Sequence, residues 1–365
     1  MWPQAAAAPV GLLRRDVGSG RVAHAYLFTG AAGRIPLDAA VAFGAALVCP
    51  EGGCGTCEVC ARVAHHAHPD VELVEPAGSQ LLVEQVREAV RSASRRPVAG
   101  PRRVIVVDAA DRMNPTAQNA FLKALEEPPP STTIVLLAPN PEALLETVRS
   151  RCREVIFRSP TPEEVTRLLI DAGADDEDAI RYARVGGSLE RATTLASDKE
   201  AGAVRAELVH RVLDPPSDPG VALEAAEWLA GQTKRLRDRV AVAHADRLEE
   251  HKHWYSETKR VADERLRREQ RRAEQDALDS AVDDIASVLR DLLVAALDED
   301  APLLNEDMRA EIVGRARSLD AARVPRLIAC IQDVERTRRR LRANANVLLS
   351  LEEAFLSLYR HLHVL

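Results

Sequence analysis

Four of the six cysteines in this 365-residue chain fall within twelve positions, as Cys49-Pro-Glu-Gly-Gly-Cys54-Gly-Thr-Cys57-Glu-Val-Cys60. The stretch from Met1 to Val10 has no charged segment ahead of its alanines, so no secretion leader is expected. In such a chain two overlapping C-x-x-C turns point to metal rather than to disulfides. The chemistry requires thiolates that close on one tetrahedral ion at about 2.3 Å, and the interleaved glycines let the backbone turn inward to deliver them. Four sulfurs leave no open position for water, so structural zinc is expected, against a redox or incidental cluster as the alternative. His65, His66 and His68 follow closely. They are either substitute ligands or surface and packing residues, and four thiols already fill the sphere. Cys152 and Cys330 stand alone and are expected to be buried small apolar residues.

A second constellation has the position of a phosphate site without its chemistry. A phosphate loop reads G-x-x-x-x-G-K-[ST]: its amides cradle phosphates, its lysine neutralises them and its hydroxyl binds magnesium. Here an apolar run, Ala25 to Phe28, leads into Thr29-Gly30-Ala31-Ala32-Gly33-Arg34-Ile35-Pro36-Leu37. Counted from Gly30, the second glycine becomes Ile35, the lysine becomes Pro36 and the hydroxyl becomes Leu37. Counted back from Gly33 and Arg34, Phe28 stands where the first glycine belongs. Downstream, Arg103-Val-Ile-Val-Val-Asp108 ends on the aspartate that would hold magnesium, but Ala109 replaces the glutamate that would activate water. Arg34 is the only candidate phosphate ligand left, and no ATP binding is expected.

These residues need a scaffold, and its elements are legible. Aromatics make up only 3% of the chain against 46% hydrophobic residues, which favours helices faced with Ala, Leu and Val over aromatic-rich sandwiches. Short apolar runs at Ala25–Phe28, Arg103–Asp108, Thr133–Ala138 and Glu154–Phe157 alternate with helical stretches. The pattern predicts a parallel sheet covered on both faces, with ligands at the carboxyl ends of its strands. From Pro162 to about Ser197 short amphipathic helices follow, one starting behind a Thr161-Pro-Glu-Glu cap and another ending at Gly186-Gly187. Pro215, Pro216, Pro219 and Gly220 mark a break, and no proline then appears before Pro302, so long helices are expected to fill that span.

Within that span Glu249 to Asp276 is polar on nearly every side, with Trp254, Tyr255, Val261 and Leu266 as its large apolar residues. Its eight acids balance its eight bases, so Arg267-Arg268 and Arg271-Arg272 have no net field with which to grip DNA. A solvated helical arm laced by acid–base pairs is the simpler reading. The formal charge of −7 likewise excludes a chain that coats nucleic acid unaided. No apolar run reaches membrane-spanning length, and a cytoplasmic chain is expected.

Several strings together carry a family resemblance. They are His24-Ala-Tyr-Leu-Phe-Thr-Gly30, the cysteine knuckle with His68-Pro69-Asp70, Val104-Ile-Val-Val-Asp-Ala-Ala-Asp-Arg-Met113, Asn119-Ala-Phe-Leu-Lys-Ala-Leu-Glu-Glu-Pro-Pro129 and Arg149-Ser-Arg-Cys152. The chain resembles the AAA+ subunits of bacterial DNA polymerase III clamp loaders from about Gln4 to its last helix. There Arg338 to Asn346 and Leu349 to Phe355 are similar to the end of the family's collar. The resemblance implies a RecA-like AAA+ domain over 1–158 with a zinc knuckle at 49–60, a helical lid over 159–200, and an all-helical collar over 201–365. Only the polar arm at 249–276 reads as extra.

ATP-hydrolysing tau/gamma subunits keep the lysine and the acidic pair. The delta-prime pattern loses them, with Gly30, Gly33, Pro36, Leu37, Asp108 and Ala109 standing here as the degenerate remnants, and retains Ser150-Arg151-Cys152. The resemblance therefore implies a subunit with zinc but no ATP of its own, in assembly with tau/gamma and delta subunits, the sliding clamp and primer-template DNA. Arg151 is then a trans-acting arginine finger; the alternative is a tau/gamma-type motor. Arg191 sits where active relatives have a nucleotide-sensing arginine, and without nucleotide it is read as part of a lid ion pair. Asn119, Lys123, Glu126 and Glu127 are read as helix-surface and capping residues before Pro128. Arg95, Arg96, Arg102 and Arg103 are left open as DNA contacts.

Overall fold

The computed structural model describes the chain apart from Met1, Ala32, 77–79, Pro128, 186–187, 251–258, 318–323, Asn344 and 364–365. Expectations resting on Ala32, Pro128, Gly186, Gly187, Trp254 and Tyr255, and on the side chains of Val261 and Arg268, fall outside the described residues. Residues up to Pro160 form one compact unit and those from Thr161 a second.

The first unit runs α1 (Ala7–Gly18), β1 (Ala25–Gly30), α2 (Arg34–Val48), α3 (Glu58–Ala64), β2 (Val71–Val74), α4 (Val83–Ala93), β3 (Arg103–Val107), α5 (Pro115–Glu126), β4 (Thr132–Ala138), α6 (Glu146–Arg149) and β5 (Arg153–Phe157). The strands form one sheet in the order β2-β3-β4-β1-β5, every neighbouring pair parallel. Alternate strand residues serve opposite faces. Tyr26, Phe28, Val104, Val106, Val135, Leu137, Val155 and Phe157 pack with α1, α2 and α3. Leu27, Ile105, Val107, Ile134 and Leu136 pack with α4 and α5. β1, β3 and β4 are buried on both faces, as their continuous apolar runs demand, whereas the edge strand β5 is buried only at Val155 and Phe157.

Four strands are expected from the sequence and the sheet has a fifth. Val71–Val74 has no continuous apolar run, because it is an edge strand carrying Glu72, whose Oε2 lies 3.3 Å from Arg103 Nη2. The turn entering it is fixed by buried Asp70, whose carboxylate accepts the amides of Val98, Ala99 and Gly100, each at 2.7 Å.

Among the described residues, every regular element of the second unit is helical. α7 (Pro162–Asp171), α8 (Asp176–Val185) and α9 (Leu189–Ser197) share a small core of Val165, Leu169, Ala179, Tyr182, Ala183, Ala192 and Leu195. Thr161 and Glu164 close a capping box at the start of α7, as the Thr-Pro-Glu-Glu string predicts. α10 (Lys199–Leu213), α11 (Pro219–Glu250), α12 (Lys259–Leu297), α13 (Arg309–Ala316), α14 (Val324–Arg342) and α15 (Val347–Leu358) surround a larger core containing Leu229, Ile285, Leu289, Val334, Leu351 and Phe355. α11 and α12, of 32 and 39 residues, occupy the proline-free span. In the polar stretch Arg272 and Asp276 pair at 3.9 Å across one helical turn. Among the described residues no helix is long and apolar enough to cross a membrane.

Candidate functional site

The cysteine cluster is built at the end of α2. Cys49 caps that helix, while Cys57 caps α3 and its sulfur accepts the Cys60 amide at 3.4 Å. Between them Gly52, Gly53 and Gly55 all adopt positive φ. Gly53 turns at φ 88° against α2, where an added Cβ would meet Ala46 Cα at 3.0 Å, so this position has no room for a side chain. The four sulfurs lie within 4.8 Å of one another, with Cys49–Cys57 at 3.6 Å and Cys54–Cys60 at 4.0 Å. Sulfurs at about 2.3 Å from a tetrahedral ion would be about 3.8 Å apart, so the arrangement fits a metal ion without rearrangement. All four cysteines are free thiols.

The environments of these thiols differ. The Thr56 and Cys57 amides pull exposed Cys54 down to about 6, and burial pushes Cys60 up to about 12. The histidines stand outside the cluster. His68 is buried, and its Nδ1 accepts the Asp70 amide at 3.1 Å. Burial also pushes Cys152 and Cys330 up to about 12, and neither joins the cluster.

At the opposite end of α2 lies the segment 30–37, which has the position of a phosphate loop in the sequence. Gly30, at φ 93°, brings the backbone so close to β5 that a Cβ there would sit 2.3 Å from the Phe157 oxygen. That oxygen accepts the Ala31 amide at 2.6 Å, consuming a donor that a phosphate would need. Pro36 and Leu37 are buried, Leu37 in the core shared by Phe28, Phe43 and Phe157, and Ile35 packs against the same core. Arg34 faces outward and pairs with Asp38 at 3.1 Å. Past β3, Asp108 accepts the Ala109 amide at 2.9 Å, with Ala109 in a left-handed conformation at φ 50°. Half-buried Asp111 nearby has its pKa raised by partial desolvation.

Arg151 lies in the turn between α6 and β5. The neighbouring residues explain its outward direction: Ser150 Oγ folds back on the Thr147 oxygen at 3.4 Å, and the Cys152 side chain packs into the core under α5. Arg151 Nη1 donates to the same Thr147 oxygen at 2.8 Å, and Nη2 reaches Glu126 Oε1 at 2.7 Å. Two residues on, Arg153 is anchored by buried Asp16 at 2.9 Å, and Asp16 also accepts the Tyr26 hydroxyl at 2.9 Å.

Other charged candidates are occupied. Arg191 pairs with buried Asp284 on α12, whose Oδ1 also lies 3.2 Å from Arg205 Nε, so α9 is tied to the helices that follow it. Burial raises the Asp284 carboxyl, and the two guanidiniums work against that rise. Arg103 is buried against Asp70, Glu72 and Ser92, which removes it as a nucleic-acid contact, whereas Arg95 and Arg96 are exposed. The sequence gives no sign of Asp284, Asp70 or Gln118, whose roles depend on partners distant in the chain. For Glu126 there is a faint signal, an acid closing a helix whose dipole disfavours it there.

Comparison with known proteins covers the first unit best. A family model described as DNA polymerase III, delta subunit, matches residues 6–161. DNA polymerase III subunit delta' of Bacillus subtilis is 31% identical over 201 residues, which span 54% of this chain and 61% of that protein. The delta' subunit of Pseudomonas aeruginosa is 37% identical over 157 residues, 41% of this chain and 46% of that protein. The chain thus matches about half the length of these relatives. The gamma/tau subunit of Mycobacterium tuberculosis is 33% identical over 192 residues, 50% of this chain and 33% of its own. Across both units, a DNA polymerase III gamma subunit-related protein of Thermotoga maritima shares the fold at a TM-score of 0.50 and 17% identity, covering 97% of this chain and 99% of that one.

Proposed function

We propose that the chain is a non-hydrolysing delta-prime subunit of a bacterial DNA polymerase III clamp loader with an AAA+ fold, a reading supported by the family match over residues 6–161 and by the delta' relatives. It joins tau/gamma and delta subunits in an oligomeric arc and offers Arg151 to the ATP of a neighbouring tau/gamma subunit, and the arc loads the sliding clamp onto primer-template DNA. Its lid spans 159–200 and its collar 201–365. The cysteine knuckle holds one structural zinc ion, because four thiolates at tetrahedral separation fill the coordination sphere and leave no place for a reacting water.

One observation carries this reading: Pro36 and Leu37 are packed into the core where a phosphate ligand would stand, while Arg151 remains at the surface on a braced turn. A guanidinium is always charged and can bridge two phosphate oxygens, so it can act on a neighbour's nucleotide with no nucleotide of its own. An arginine supplied in trans is worth about 10³ to 10⁵ in rate where one finger dominates. The test is Arg151→Ala in the reconstituted assembly. Hydrolysis at that one interface should fall by such a factor, with total ATPase reduced in part and clamp loading on primed DNA slowed. Wild-type rates in both assays would leave the chain a scaffold.

A further inference from the structure

Glu126 is the last residue of α5, where the helix dipole disfavours an acid, and Glu127 directly behind it adds a second negative charge. Its position is therefore poor for helix stability. Its carboxylate instead meets Arg151, with Oε1 at 2.7 Å from Nη2, while the Thr147 oxygen takes Nη1 at 2.8 Å. The two acceptors come from different helices, α5 and α6, and buried Gln118 joins these helices. Its Oε1 accepts the Leu145 amide at 2.6 Å, and its Nε2 donates to the Ala143 and Met113 oxygens at 3.0 and 2.9 Å. Glu126 and the Arg151 turn thus belong to one frame.

From this geometry we infer that Glu126 is a positioning residue for Arg151, an inference that rests on the arginine-finger reading above. An unbraced arginine samples many rotamers, and that freedom is lost each time its fork engages a phosphate. The bracket removes part of the loss in advance. It occupies one hydrogen on each terminal nitrogen and leaves Nε–H and the outward N–H groups of the fork for phosphate oxygens. The pair is half exposed on the carboxylate side, 50% against 34% for the arginine, so it is weak enough to be shared or displaced by a triphosphate. Glu126 braces the finger without blocking it.

A double-mutant cycle in the reconstituted assembly tests this, reading clamp-stimulated ATPase and clamp loading. Glu126→Ala should lower the part of the rate that Arg151→Ala removes by about two- to five-fold, the rate equivalent of an exposed ion pair. Glu126→Gln keeps the oxygen acceptor and should recover most of that loss. In an Arg151→Ala background Glu126→Ala should do nothing further. An unchanged or faster rate for Glu126→Ala overturns the inference, as does an equal fall with and without Arg151, since a residue acting through the arginine has nothing to act on once it is gone. If Arg151→Ala itself runs at the wild-type rate, the arginine-finger reading fails and this inference with it. Loss for Arg151→Ala but none for Glu126→Ala removes this inference alone.

Discussion

β1 and β5 are neighbours in the sheet, paired from Tyr26 with Arg153 to Gly30 with Phe157, yet the loops at their ends have opposite chemistry. After β1 the Ala31 amide is taken by the Phe157 oxygen, and Leu37 and Ile35 turn into the core. The turn before β5 is polar: Ser150 folds back on its own helix, Cys152 is half-buried against the core rather than fully buried as its isolation in the sequence suggests, and Arg151 is half-exposed. Losing a lysine alone would leave an empty cradle. Here Leu37 belongs to the core and Ile35 packs against it, so on the non-hydrolysing reading single substitutions should not create a nucleotide site. The arginine turn needs no such cavity, only a rigid base, and Glu126 and Asp16 provide one on either side.

The largest expected effect lies at the far end of α2, the helix that follows β1 and ends at Cys49. If the helix is fixed by a metal as well as by packing, elemental analysis of protein purified without chelators should find one zinc per chain. A structural zinc site contributes about 10 kcal/mol of apparent binding free energy to folding. Stripping the metal, or Cys57→Ser, should therefore lower the first unfolding transition of the chain markedly in thermal and denaturant melts. Protein with no bound metal and an unmoved transition would mean that apolar packing holds α2 by itself.

A smaller effect is expected at the loop after β1. Isolated wild-type chain should show no saturable fluorescent-nucleotide binding up to about millimolar concentration, because the charge and the magnesium hydroxyl are both missing. The double variant Pro36→Lys, Leu37→Thr supplies both groups and should still fail to bind, since the Ala31 amide remains engaged by Phe157 and Ile35 still stands where a glycine is needed. Placing a hydroxyl in the core beside Phe43 and Phe157 should cost about 1 to 3 kcal/mol in chemical denaturation. Micromolar binding by either protein would erase the contrast between the two loops and revive a motor subunit.

Much of this was legible in the sequence because the informative features are local. The sulfur spacing, the residues Pro36 and Leu37, and the four short apolar runs each declare themselves within a dozen positions. β2 escapes because Glu72 interrupts its four residues, whereas the other edge strand, β5, keeps three apolar residues in a row. The Glu126–Arg151 and Arg191–Asp284 pairs escape for a different reason. Their members are 25 residues apart in the first case, within hydrogen-bond reach only after folding, and on separate helices of the second unit in the other. A lone arginine shows its charge in the sequence; what holds it is a property of the fold.

The smallest effect tests the rigid base of the arginine turn from the β1 side. Tyr26 donates its hydroxyl to Asp16 at 2.9 Å and accepts the Ala23 amide at 3.0 Å, and Asp16 in turn holds Arg153 at the start of β5. Burial, reinforced by the bond to Asp16, raises Tyr26 from 10.0 to about 12. The folded chain thus keeps this proton over a range in which the unfolded chain has lost it. Protons bound are fewer in the unfolded state, so stability falls as pH rises. The contribution is fully present below pH 10 and is lost progressively between about 10 and 12. Tyr26→Phe should cost about 1 kcal/mol near neutrality, the usual worth of a buried hydrogen bond. It should also remove that part of the alkaline slope. Denaturant melts of both proteins from pH 9 to 11.5, compared as a difference so that other titrations cancel, read the two quantities together. A phenylalanine variant with the wild-type slope would show that the fold does not hold the Tyr26 proton beyond its ordinary range.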